Sequence, residues 1–416
     1  MSPLGSGSGG ASDADVIVVG AGPAGCAAAI LLGRRGVRVT LIDRASFPRP
    51  KLCTHALMPA GLTVLERLGV LDAVEAAGAQ RWYGVRLWLN GVPFAEPLPH
   101  ARVANPYGLS LRRPALDALL LDAARQTAKV QVLEGVQVAR LLHPDGQIGG
   151  AVVQARAGGP ECAIVAPRVI LAGGRHTRLV RGLAVRSYTL PNRHTAYVAY
   201  LSGVPEEPEP ALEGFYWHGR SASLLPADGG LRVAGVMLPP GSWPPGSWSE
   251  RLIPALRRFP PLRQRLADAR IASPPIAVRG LRNVWRESAT PGLLLIGDAG
   301  LQTDPLFGQG ISWALRSGEW AAEEMLHRIE CGAAQQRDGY RTRRARTFLH
   351  RFVGMSAFSA LPPGSMLERL LIASAAGSPR ITRLFLRLVL GFATVSRDEP
   401  PRRGLSTWLR ESLRSA

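Results

Sequence analysis

Three glycines spaced Gly20-x-Gly22-x-x-Gly25 follow the apolar run "DVIVVG" and precede the small-residue stretch "AGCAAAILLGRRG". Between a strand and a helix, this spacing suits a phosphate. Gly20 permits the tight turn, Gly22 lets a pyrophosphate reach the backbone, and Gly25 lets helix and strand pack closely while the helix N-terminus faces the anion. Asp43 closes the next apolar run, "VRVTLID", at the spacing of an acid that bonds a ribose hydroxyl. Together they predict a dinucleotide site, with FAD and NAD both open on these residues alone.

A second stretch, "GDAGLQTDPLFGQGI" from Gly297 to Ile311, narrows the choice. A strand ending at Gly297–Asp298 places a carboxylate at the C-terminal edge of the sheet, where it can bond a second ribose or ribityl hydroxyl. Pro305 stiffens the following loop against a flat ring. Gly308 and Gly310 let backbone amides at a helix start approach an electron-rich edge, and a helix N-terminus offsets the negative charge that a reduced flavin carries. Polar groups suited to proton handling are His55 in "KLCTHALMP" and Tyr216 with His218 in "GFYWHGRSASLLP", where Trp217 reads as packing or pocket wall.

These residues need a scaffold. Residues 15–44 read as a strand–helix–strand unit of a buried parallel sheet. Beyond it come helical spacing in "PAGLTVLERLGVLDAVEAAG", a hairpin about Asn90–Gly91, a helix in "RRPALDALLLDAARQTA", and strand-like pieces at Val130–Leu133, Val136–Leu142, Ala151–Ala155 and Ala163–Leu171. From about Tyr188 to Val278 the pattern alternates, as an inserted antiparallel sheet does. The predicted class is α/β: a Rossmann-type FAD-binding domain with an inserted antiparallel-sheet substrate domain and a C-terminal helical region. Its expected boundaries are a flexible leader at 1–14, FAD-binding segments at 15–80, 101–187 and 279–336, substrate-domain segments at 81–100 and 188–278, and basic helices at 337–416.

The chain has 416 residues, a formal net charge of +19, and positive charge that is almost all arginine, Lys51 and Lys129 being its only lysines. A GC-rich coding bias explains that excess, and an anionic ligand or acidic partner is the functional alternative. Cys26, Cys53, Cys162 and Cys331 show no metal-ligand spacing, which predicts a reduced, cytoplasmic setting without a structural metal. No segment reads as a signal peptide or transmembrane span, and no nucleic-acid partner is expected.

The ordered set of motifs resembles the flavoprotein monooxygenases of the para-hydroxybenzoate hydroxylase superfamily over about residues 15–330. "RRPALD" is similar to that family's Arg-x-x-Leu-Asp element through Arg113, Leu116 and Asp117, and the Gly297–Ile311 stretch to its second FAD motif. The resemblance implies FAD contacts from Arg113, Asp298, Pro305, Gly308 and Gly310, with Arg44 and Ile311 beside them. It also implies reduction by NAD(P)H or a partner flavin reductase, molecular oxygen as co-substrate, and hydroxylation of a phenol or indole through a flavin C4a-hydroperoxide. One departure stands out: the family's Asp-Gly after a buried strand reads Ala172-Gly173-Gly174 here, which puts direct reduction by NAD(P)H in doubt.

Related readings compete. A tryptophan-halogenase-like enzyme lacks its Trp-x-Trp-x-Ile-Pro motif and relay lysine here. "RPKLCTHALMPAGL" resembles a segment of geranylgeranyl-reductase-like enzymes, whose Tyr-x-Trp-x-Phe-Pro pattern is absent. A flavin-binding interaction protein without catalysis is a third. The expected substrate is a small aromatic molecule or a tryptophan-containing acidic polypeptide, as in maturation of protein-derived quinone cofactors. In the second case Arg343, Arg344 and Arg346 are expected to help hold it.

Overall fold

A computed structural model describes residues 13–51, 53, 55–98, 105–175, 178–239, 241, 247–331 and 339–390. Asp13 and Ala14, expected within the leader, belong to the folded body: the Asp13 amide donates to the Val165 carbonyl at 3.0 Å, and Ala14 is buried. The rest of that leader, and residues 391–416 of the expected helical region, lie outside the described residues.

Five parallel strands form the central sheet in the order Leu293–Leu295, Val169–Leu171, Val16–Val19, Val39–Asp43, Val130–Glu134. The three inner strands are buried at every position, as their uninterrupted apolar runs require. Helix Pro23–Arg34 crosses between the first two strands in sequence and packs against helix Gly310–Cys331. Because the strands are parallel, Gly20, Asp43 and Gly297 leave the sheet at one edge.

The piece read as one strand over Ala163–Leu171 is two strands in different sheets. Cys162–Val165 closes an antiparallel sheet with Val136–Leu142 and Gly150–Ala155, while Val169–Leu171 joins the parallel sheet. Pro167 falls between them and ends the first ladder, since it has no amide to donate.

The antiparallel pattern folds into an eight-stranded sheet. Its path runs Arg270–Ile271, Thr195–Ser202, Arg232–Leu238, Arg220–Pro226, Ala211–Trp217, Gly84–Leu89, Val92–Pro97, with Ile276–Val278 as an eighth strand beside Thr195–Ser202; the sheet is antiparallel except that Ala211–Trp217 and Gly84–Leu89 pair in parallel. Asn90 and Gly91, both at positive φ (51° and 92°), make the tight turn between the last two strands. One face of this sheet packs Phe215, Ala222, Leu224 and Val236 against Leu252, Leu256 and Phe259. The other face carries Val198, Leu225 and Val233 into the same core as helices Pro23–Arg34 and Gly310–Cys331.

Helix Gly339–Ala360 lies along helix Gly310–Cys331, and helices Met366–Gly377 and Pro379–Leu390 follow it, covering strands Gly84–Leu89 and Val92–Pro97. Here the expectation of an exposed arginine cluster needs correcting. Arg344 is 3% exposed, donates to the Arg286 carbonyl at 2.6 Å, and lies 4.4 Å from the Trp285 ring centroid. It faces the core because it recurs at helical spacing with the buried Tyr340, Phe348 and Phe352. Among the described residues no helix is long and apolar enough to cross a membrane.

Candidate FAD and substrate site

The glycines at the sheet edge are dictated by contact. Gly20 has φ +107°, and a Cβ there would stand 2.4 Å from the Ala172 carbonyl oxygen; one at Gly25 would stand 1.8 Å from that of Gly20. Gly22 is different: a Cβ would meet only the Arg49 guanidinium, at 3.8 Å, so the loop's outer surface is free to receive a ligand. Asp43 braces this turn, accepting from the Ala21 amide at 2.8 Å and the Ala45 amide at 2.9 Å. Arg44 is exposed beside it.

Cations gather on the same edge. The Arg49 guanidinium lies 3.5 Å from the Asp43 carboxylate and 3.9 Å from that of Asp117, and its Nε is buried without a partner among the described residues. Arg113 is buried and grips Asp117 through two bonds of 2.7 and 2.8 Å. Burial works against the Arg113 charge, but Asp117 and Cys53 outweigh it and raise its pKa. Lys51 is held below the ordinary lysine range by burial and by Arg113, with Asp298 opposing. Its Nζ lies 3.6 Å from where a Gly174 Cβ would be. A glycine turn open on its outer face, a helix N-terminus and partly unpaired cations fit the pyrophosphate of FAD. Sequence reasoning missed Arg49 and Lys51, whose only linear signal is the basic "PRPK" after the second strand.

The second motif is built as a rigid entry to a helix. The Gly297 amide donates to Ser317 Oγ at 2.9 Å, and Asp298 is partly exposed at the sheet edge. Asp304 caps the short turn Pro305–Phe307 through the Leu306 amide at 2.9 Å. Its other oxygen takes His194 Nδ1 at 2.7 Å and Asn192 at 2.9 Å, tying the loop to the start of the large sheet. Burial alone would raise the Asp304 pKa, yet His194, the Leu306 amide and Ser359 hold it below the usual carboxylate range. Gly308, at φ +63°, lets the loop press on Ala56, whose Cβ would be 3.3 Å from a side chain there. Gly310 opens the 22-residue helix and has nothing within 4 Å of its Cβ position, whereas Ile311 is buried in the core. Open space at the helix start is what the edge of a flat cofactor requires.

His55 sits where this loop meets the large sheet: its neighbour Ala56 lies 3.3 Å from where a Gly308 Cβ would be, and its ring reaches Tyr200 of strand Thr195–Ser202. It is 1% exposed and adopts φ +63°, a conformation few non-glycine residues hold without support from their surroundings. Its Nε2 shares a 2.8 Å hydrogen bond with the hydroxyl of Tyr200, and the rings stack at 5.3 Å. Its Nδ1 is buried without a partner among the described residues. Burial, with Arg113 and Arg112, drops the His55 pKa to about 3. Burial likewise pushes Tyr200 up to about 12, with Cys53 contributing. Arg112, paired with Asp228 at 2.7 Å, lies 5.7 Å from the Tyr200 ring centroid.

Tyr216 and His218 are placed elsewhere. The Tyr216 hydroxyl accepts from the Gly219 amide at 3.1 Å, and burial together with Glu368 raises its pKa. His218 is exposed at φ +46° on the turn after Trp217. The residue brought to His55 is thus Tyr200, whose sole sequence signal was alternation in "TAYVAYLS".

The FAD binding domain family matches residues 13–348. The menaquinone reductase of Mycobacterium tuberculosis H37Rv is 30% identical over 332 residues, covering 74% of this chain and 76% of that protein. The 6-methylpretetramide 4-monooxygenase of Streptomyces rimosus is 28% identical over 348 residues, 78% of this chain and 77% of that one. The p-nitrophenol 4-monooxygenase of Pseudomonas putida DLL-E4 shares the fold, with a TM-score of 0.74 at 20% identity over 94% of this chain and 99% of that one. The chain belongs to the FAD binding domain family, and it is a flavoprotein oxidoreductase with the fold and motifs of the FAD-dependent monooxygenases.

Proposed function

We propose that this enzyme hydroxylates an electron-rich aromatic ring, a phenol or an indole, held between the flavin loop and the inner face of the large sheet. The reading assigns the parallel-sheet segments to FAD and the large sheet to the substrate. Bound FAD supplies the electrons and the oxygen chemistry. Gly20, Gly22, Gly25, Arg49, Lys51 and Arg113 hold its phosphates, Asp43 and Asp298 its hydroxyls, and Pro305, Gly308 and Gly310 its ring.

The observation that carries the proposal is His55. A pKa of about 3 keeps its ring neutral at working pH, Tyr200 stays protonated up to about 12, and we assign the Tyr200 hydroxyl as the donor in the 2.8 Å bond that it shares with Nε2. The His55 proton then sits on Nδ1, the nitrogen left without a partner. That N–H is a donor for the oxygen being transferred or for a ring hydroxyl, in a site that excludes water. Tyr216 and His218, in this reading, support the sheet.

The ring arrives free or as the tryptophan side chain of an acidic polypeptide. The net charge of +19 and the exposed Arg346 favour an anionic partner. Electrons come from NAD(P)H or a partner reductase, and the aspartate missing from Ala172–Gly174 favours the reductase. Turnover of a free phenol or indole beside a tryptophan-containing acidic peptide tests the substrate. Hydroxylation of either supports the reading, and hydroxylation of neither overturns it. Added chloride or bromide is expected to leave the product unchanged, and a halogenated product would contradict the assignment.

One specific observation favours a second reading. Identity of 30% to a menaquinone reductase suits a geranylgeranyl-reductase-like enzyme that saturates a polyprenyl double bond. Its product gains two hydrogens, whereas the hydroxylase product gains oxygen.

A further inference from the structure

Helix Met366–Gly377 turns its apolar side outward. Met366 is 77% exposed, Leu367 56%, Leu370 53% and Leu371 47%, and their spacing places all four in one stripe. Its opposite side is already satisfied: Ile372 packs on Leu89 and Tyr216, and Glu368 is buried and accepts from the Gly364 amide. Ile381, 46% exposed, adds a fifth aliphatic group at the start of the next helix. Together these side chains present apolar surface on the order of a few hundred Å², the scale at which a patch marks an interaction site.

Charge completes the pattern. Residues 366–390 hold four arginines and a single acid, Glu368, whose carboxylate is the buried one. Arg369 and Arg380 are exposed, while Arg383 is paired with Glu96 at 3.0 Å, so the exposed charges that these two helices set beside the stripe are cationic among the described residues. We propose that this face docks the protein peripherally on an anionic phospholipid bilayer, with the aliphatic stripe in the headgroup–acyl boundary and the arginines on lipid phosphates.

The composition selects the bilayer over other occupants. The hot spots of protein interfaces are enriched in tryptophan and tyrosine and poor in leucine, whereas this stripe is three leucines and a methionine without an aromatic ring. A second copy docked by the same face would set Arg369 and Arg380 against their own counterparts, with no exposed acid on these two helices among the described residues to offset them. The face also lies close to the cofactor. Phe307 of the flavin loop contacts Phe358 at 6.1 Å and Phe385 at 6.5 Å, and Phe385 belongs to the helix that completes the face.

The test uses the flavin-loaded full chain in co-sedimentation with vesicles. Phosphatidylglycerol–phosphatidylcholine vesicles are expected to retain the protein at low salt and release it as salt rises, while pure phosphatidylcholine retains little. The double substitution Leu370→Glu with Leu371→Glu is expected to lower the partition coefficient at least about tenfold, from lost apolar burial alone. Both side chains are surface-exposed, so flavin content and unfolding temperature should be kept, with Met366→Glu as an independent variant. Failure of the wild type to bind mixed vesicles, or equal binding by the variants, would overturn the proposal. So would retention on poly-glutamate without vesicle binding, or a dimer in light scattering that the same substitutions dissolve.

Discussion

At the scale of single residues, the glycines divide into those the fold needs and those whose open Cβ positions are left to the proposed cofactor. Alanine at Gly20 would combine a positive φ with a 2.4 Å approach to Ala172, costing about 1–3 kcal/mol in backbone strain before the clash is counted. Gly20→Ala should therefore lower both unfolding temperature and flavin content. Alanine at Gly310 meets nothing within 4 Å, so Gly310→Ala should fold normally and lose flavin only. Absorbance near the flavin band against protein, with thermal melts of the apoprotein, separates the two. Equal flavin retention by Gly310→Ala would remove the ring from that helix start. The carboxylates divide the same way. Asp43 holds the turn through two amides, so Asp43→Ala should cost stability as well as flavin, whereas Asp298→Ala should cost flavin alone.

His55 sets an acid limit. Its pKa is about 3 in the fold against about 6.5 in the unfolded chain, so between those values the unfolded chain binds the extra proton. The stability linked to His55 is complete above about pH 6.5 and falls as pH drops towards 3. His55→Gln should flatten that part of the pH–stability curve, measured by denaturant midpoints. An unchanged slope would show that the ring is not held neutral.

At the scale of elements, legibility followed the range of the interactions. The strand–glycine–helix unit and the Asn90–Gly91 hairpin were readable because local backbone geometry dictates them. Ala163–Leu171 was misread as one strand because sheet membership is a tertiary property that only Pro167 hinted at. Arg344 was taken for a surface charge because arginine number carries no information about which helix face is covered. The partners of His55 were invisible for the same reason: 145 positions separate it from Tyr200. The Asp304–Gly308 loop, proposed to hold the flavin ring, is likewise held from afar, by Phe358 and Phe385 against Phe307. Phe385→Ala, at a partly buried site, should cost up to about 3 kcal/mol in denaturant unfolding and loosen flavin binding. Full flavin retention in that variant would uncouple the C-terminal helices from the loop.

Across the whole molecule, the loops around the parallel sheet are tied to the large sheet and its turns by polar contacts that include His55 with Tyr200, Asp304 with His194 and Asn192, and Arg112 with Asp228. The proposed site lies at this junction, so the proposed chemistry depends on both sides of it. The measurement that bears most directly on it is turnover of a phenol or indole, free and peptide-borne, under isotopically labelled dioxygen, with NAD(P)H or a flavin reductase as electron source. The expected result is one labelled oxygen atom in the aromatic product, lost in His55→Gln while flavin content is kept. Unlabelled aromatic substrate recovered beside a polyprenyl compound that has gained two hydrogens would contradict it.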